Sequence, residues 1–209
     1  MKSLLLASCV IAVLGVRDAG ATTITFNGAS GVFSTYVEAG FQLTNTFSSG
    51  TNNFAGCSPA CANNGTVNAF LDGGPVDLTT SPAGSAFSAL SFDAGELFQG
   101  VPSTWSSQIV VTGTLSGGGT VSSTFFLDGL HSGANGVGDM QTFLLPASFG
   151  NLTSIRFWDG SDTDGRGFTL DNIVLGSPTA TAVPEPTSLF LLGTGLAGAG
   201  IRRYRRRRS

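Results

Sequence analysis

Four groups of residues in this 209-residue chain have types and spacings that could do chemistry. In Asp159-Gly160-Ser161-Asp162-Thr163-Asp164-Gly165, alternate carboxylates followed by glycine can fold several oxygens around a hard cation, which makes calcium the ion to expect at Asp159, Asp162 and Asp164. The spacing departs from the helix–loop–helix calcium loop: Gly160 takes the first ligand position and Asp171 stands where a bidentate glutamate belongs. A hairpin loop of ordinary turn residues is the competing reading. Trp105, in the polar stretch from Gly100 to Ser107, is the aromatic best placed to stack on a sugar ring; Trp158 and Tyr36 follow it, against the rule that sheet aromatics mostly serve the core. Cys57 and Cys61 form an even pair in Cys57-Ser58-Pro59-Ala60-Cys61, which reads as a disulfide that stiffens one small loop, with no nearby histidine or further cysteine to suggest metal or redox work. The single His131 has no serine in a nucleophile elbow and no free cysteine beside it, so no catalytic residue is assigned.

Those residues must be held by strands. Gly at 30 of 209 and charged residues at 11% suit a sheet protein punctuated by turns more than a cytoplasmic enzyme. The clearest element is a hairpin in which two β-branched runs, Gln108–Leu115 and Thr120–Leu127, flank Ser116-Gly117-Gly118-Gly119. Further strands are expected at Thr22–Phe26, Phe41–Phe47, Thr66–Leu71, Ala89–Phe92, Gln141–Leu145, Leu152–Trp158 and Phe168–Leu175. Residues 45–64 and 72–84 lack periodicity and are expected as long loops. Many short antiparallel strands and no helix of normal length predict an all-β domain, a single β-sandwich of jelly-roll type.

Charge is segregated along the chain. Between Thr22 and Ala182 only Arg156 and Arg166 are basic, against eleven acidic residues, a net of −9. Such a surface repels phosphate backbones, which excludes nucleic acid as a partner and favours neutral glycans or divalent cations. Before it, Met1-Lys2-Ser3, the apolar run Leu4–Val16 and Ala19-Gly20-Ala21 have the three parts of a secretory signal peptide, making Thr22 the expected mature start. Ser8-Cys9 matches a lipoprotein box in letters only, because the apolar stretch ahead of Cys9 is too short.

The tail is an address in three parts. Val183-Pro184-Glu185-Pro186 blocks regular structure, Thr187–Ile201 is apolar, and Arg202, Arg203, Arg205, Arg206, Arg207 and Arg208 cannot cross a bilayer. As a helix the apolar run would span about 22 Å of a hydrocarbon core about 30 Å thick, a short transmembrane helix with stop-transfer arginines on the cytoplasmic side. An ordinary single-span anchor is the bland reading. The three parts together resemble the PEP-CTERM sorting signal of Gram-negative bacteria. That resemblance implies an exosortase-type processing enzyme as partner, transient anchoring in the inner membrane, then release to the cell surface or outside the cell in the company of exopolysaccharide or biofilm. The layout expected is a signal peptide over 1–21, a β-sandwich over 22–176, a linker over 177–182 and the sorting signal over 183–209.

A second, shorter resemblance covers the domain. Gly31–Phe41 and Gly167–Leu175 look like the opening and closing strands of jelly-roll domains similar to carbohydrate-binding modules. It implies a structural Ca2+ held by Asp171 of the last strand together with backbone near Asn27; a strand-end aspartate satisfied by local backbone is the alternative. The function expected is a non-catalytic, glycan-binding surface or matrix protein. The alternatives are a secreted polysaccharide-active enzyme using carboxylates among Glu38, Glu96 and the aspartates, and a structural matrix protein without a defined ligand.

Overall fold

The hairpin that the β-branched runs dictate is the longest regular pairing of the second of two sheets. Its strands, β8 (Gln108–Leu115) and β9 (Thr120–Phe126), pair from Gln108 opposite Phe126 to Thr114 opposite Thr120. The turn needs Gly118 and Gly119, whose φ angles of 92° and 84° are left-handed and strain any residue with a Cβ. The computed structural model describes residues 20–29, 31–45, 51–53, 62, 64–72, 74–97, 106–129, 139–160 and 166–178. Residues 1–19 of the expected signal peptide, and the sorting tail, lie outside these residues.

The other strands are β1 (Thr22–Ile24), β2 (Thr35–Glu38), β3 (Phe41–Asn45), β4 (Thr51–Asn53), β5 (Ala69–Asp72), β6 (Val76–Thr80), β7 (Ser88–Glu96), β10 (Gln141–Leu144), β11 (Leu152–Trp158) and β12 (Gly167–Gly176). Sheet one runs β10-β7-β12-β5-β4, with β1 also on β12; sheet two runs β2-β3-β6-β11-β8-β9. All pairings are antiparallel. From β5 onward the chain crosses between sheets at every step except the β8–β9 hairpin, so that β5-β12-β7-β10 faces β6-β11-β8-β9. That nested order is the winding of a jelly roll, reached when a long hairpin folds over on itself.

The sheets meet through aromatic rings because strand alternation sends every second side chain inward. Phe92 of β7 lies 5.3 Å, centroid to centroid, from Phe125 of β9 and from Phe157 of β11, both nearly edge-on. Phe41 of β3 meets Phe87 in the same way at 5.4 Å. Leu43, Leu78, Val111, Ile155, Phe168 and Leu170 complete a core that is continuous across both sheets.

Two segments expected as loops hold strands. Val76–Thr80 alternates for only five residues between Gly-Gly-Pro and Ser-Pro, too short a run to register as periodic in the sequence, yet β6 is central to sheet two. Thr51–Asn53 has no apolar residue and forms a strand only because the edge of β5 is there to pair with. Strand β2 also falls outside the strands expected from alternation. Elsewhere the ends move: β3 stops at Asn45, β5 starts at Ala69 and β7 reaches Glu96.

Candidate functional site

The outward faces of the two sheets carry the polar side chains, and they differ in cover. On sheet one, Phe92 and Ala94 point to the core, so Asp93 points out. Register sets Asp93 opposite Asp171 of β12 on one side and opposite Thr142 of β10 on the other. β5 pairs with β12 as far as Ala69 opposite Leu170, so Asn68, one step further, stands beside Asp171. A row Thr142, Asp93, Asp171, Asn68 therefore crosses three strands and ends at the residue before β5.

The chain before β5 lies over this row. Ala62 donates its backbone N–H to the Glu96 carbonyl at 2.9 Å. Asn64 Nδ2 and Thr66 Oγ1 each donate to Asp171 Oδ2 at 2.8 Å, and the Asn172 backbone N–H donates to Oδ1 at 2.8 Å. Asn172 Nδ2 in turn donates to Asp93 Oδ2 at 2.8 Å, and Thr142 Oγ1 to Asp93 Oδ1 at 2.6 Å. Asn172 reaches across because β12 bulges there: its φ is 45°, a left-handed value that asparagine tolerates better than most residues, and the β12–β7 register shifts between Asp171 and Val174. The same bulge lets β5 and β1 share one side of β12, β5 up to Leu170 and β1 from Ile173.

The result is a carboxylate with no exposed surface on the outside of a sheet. Asp171 is 0% exposed. Burial raises its pKa above the ordinary aspartate value, its three donors pull the other way, and the Asp93 carboxylate adds to the rise. Asn68 is also 0% exposed, and neither its Oδ1 nor its Nδ2 has a hydrogen-bond partner among the described residues. A buried amide left unbonded costs roughly 1–3 kcal/mol.

The outer face of sheet two is open. Ile155 and Phe157 of β11 enter the core, which puts Arg156 and Trp158 outside. Arg156 Nε and Nη2 grip Asp77 of β6 at 2.7 and 2.8 Å, a bidentate pair between register neighbours, with the Arg156 side chain 44% exposed. Thr44 flanks Asp77, while Thr112 and then Ser122 continue the row beyond Arg156. Trp158 is part-buried beside Val110, and its indole N–H is buried without an acceptor among the described residues. The face thus offers an aromatic ring, a neutralised Arg–Asp pair and rows of hydroxyls.

Of the residues singled out in the sequence, Trp105, His131, Cys57, Cys61, Asp162, Asp164 and the tail residues Val183, Pro184, Glu185 and Pro186 lie outside the described residues. Asp159 directly follows β11 of sheet two, and its carbonyl accepts from Gln108 Nε2 at 3.3 Å, whereas Asp171 belongs to sheet one. Among the described residues Asp171 accepts side-chain hydrogen bonds from Asn64 and Thr66. Glu38 is a clamp: it accepts from the Thr25 and Phe26 backbone N–H groups, from Thr25 Oγ1 and from Tyr36 Oη, between 3.0 and 3.3 Å, which ties the end of β1 to sheet two. Burial and the neighbouring Glu38 push the Tyr36 phenol up to about 12. Glu96 is buried and accepts the Gly129 N–H at 2.7 Å. Among the described residues no three His, Cys, Asp or Glu side chains gather in a metal-binding group. Asn64, Thr66, Asn68 and Asp93 were invisible in the sequence because only register and a chain crossing bring them to Asp171, more than 100 positions away for Asn64.

Comparisons with known proteins address the tail and the fold. The PEP-CTERM protein-sorting motif matches residues 182–207. Among solved structures, a variant of the family 29 carbohydrate-binding module CBM29-2 is 16% identical, covering 80% of this chain and 99% of its own at a TM-score of 0.46. A structure described as carbohydrate-binding module family 29 is 16% identical over 82% of this chain and 97% of its own, at 0.47. A CBM29-2 variant complexed with cellulohexaose is 15% identical over 77% and 92%, at 0.47. No curated protein matches the chain. The tail read from its prolines, apolar run and arginines is thus a PEP-CTERM sorting motif, carried behind an all-β jelly-roll sandwich.

Proposed function

We propose that this is an exported surface or extracellular-matrix protein whose sandwich binds neutral polysaccharide, without catalysis, through the open face of sheet two. The sorting motif supports export. In this reading an exosortase-type enzyme processes the tail at the inner membrane, and the released domain associates with exopolysaccharide or biofilm. The observation that carries glycan binding is the alternation of Arg156 and Trp158 on one open face of β11. A sugar ring presents an apolar face to an indole and hydroxyls to a charged pair, and this face supplies both at adjacent outward positions. Asp77 cancels Arg156, so the face favours neutral over anionic sugars.

The same reading gives Ca2+ a structural place at Asp171. Asp171, Asp93, the Asn68 and Asn64 amide oxygens and Thr66 Oγ1 are all hard oxygen donors. The unbonded Asn68 side chain beside two neighbouring carboxylates fits a cation better than it fits a closed hydrogen-bond network. The ion would fasten the 64–68 segment to sheet one.

The test is binding of the folded protein to soluble and insoluble polysaccharides, with and without a chelator. Saturable binding that weakens about tenfold or more in Trp158→Ala and in Arg156→Ala is the expected result; Trp105→Ala run in parallel shows whether that loop adds a second ring. Chelation should lower the melting temperature of the wild type and leave Asp171→Asn unchanged. A folded protein that binds no glycan leaves the structural matrix reading, and one that cleaves a glycan establishes the enzyme reading.

A further inference from the structure

We propose that two copies of this chain join edge to edge through β9, continuing sheet two from one molecule into the next. Edge strands expose unpaired N–H and C=O groups, and proteins that stay apart keep such edges short, charged or interrupted by proline. The other edges here obey that rule. β4 and β1 run three residues, β10 and β2 four, and β2 carries Glu38. β9 runs seven residues, Thr120 to Phe126, with no charge and no proline. No described residue pairs with its outer side.

Charge selects the partner. The stretch from Gln108 to Leu127 has no ionisable residue, in a domain whose net charge is −9. Two such domains repel each other generally, and this hairpin is where they approach without carboxylates facing carboxylates.

The sequence of β9 also fits itself. A two-fold axis through Ser123 sets Thr120 against Phe126, Val121 against Phe125 and Ser122 against Thr124 of the second copy. Inward residues then meet inward ones, so Val121 and Phe125, which pack on the core of each copy, form one apolar seam. Phe126, 69% exposed in the single chain, gains cover from the partner strand.

The experiment is the mass of the full chain in solution by sedimentation, over a concentration series. Ser122→Lys with Thr124→Lys opposes two lysine pairs across the axis on the exposed outer face, away from the core. Ser122→Glu with Thr124→Lys opposes glutamate to lysine at the same two places. The expected results are a wild-type dimer, a dissociation constant at least about tenfold weaker in the double lysine variant, and recovery in the Glu/Lys variant. A monomeric wild type overturns the proposal. So does a dimer indifferent to both variants, which would place the contact on the tail or another face.

Discussion

The two outer faces of this sandwich are written in the same pattern and do opposite things. On sheet two, Asp77 and Arg156 form a pair that remains in water; on sheet one, Asp93 and Asp171 are also register neighbours, but Asp171 has no exposure at all. The difference is Ala62 and the segment 64–68, which lie over sheet one and bring Asn64 and Thr66 onto Asp171. Alternation decides only that a residue points away from the core. Whether it then meets solvent or a second layer of chain is decided by the path of a loop. Polar groups that meet solvent stay accessible, whereas those that meet chain become part of the stability of the fold.

Removing the covered carboxylate tests this contrast most severely. Asp171→Ala strands three donors and should lower unfolding free energy by about 3 kcal/mol in urea titration. A loss below 1 kcal/mol would mean the crossing does not depend on it. Gly95→Ala probes the fit of the cover itself, since an added Cβ would stand 2.3 Å from the Ala62 Cβ and 2.6 Å from the Asp139 carbonyl oxygen. Neither can move without backbone, so about 1–3 kcal/mol should be lost. On the open face, Asp77→Ala should cost no more than about 1 kcal/mol, as exposed ion pairs do; a larger loss would make that pair structural and weaken its claim as a binding element.

Two titrations sharpen the comparison further. Because burial raises the folded pKa of Asp171, protonation favours the fold: in the absence of metal, the stability from this group is full below the unfolded aspartate value and is lost as pH rises through the folded one. A bound cation competes with that proton. Any stabilisation by the calcium proposed above should therefore fade on acidification, as measured by thermal melts across pH with and without added calcium. Tyr36, raised from 10.0 to about 12, contributes stability that is present below pH 10 and is lost between 10 and 12; Tyr36→Phe should flatten the alkaline limb over that window.

The sequence by itself determined the all-β class, the β8–β9 hairpin, the strands β11 and β12, and the tail. Each rests on local chemistry: side chains alternating with period two, glycines at a turn that needs left-handed φ, and apolar residues followed by arginines that a bilayer cannot pass. It marked Asp171 without its partners. Only the tertiary structure decided that β6 lies central in sheet two, that the short polar β4 forms a strand on the edge of β5, and that Asn64, Thr66, Asn68 and Asp93 gather around Asp171. The reason is physical: those positions are set by strand register and by the route of one crossing segment. Both are fixed by which distant surfaces bury together, and neither leaves a spacing in the sequence.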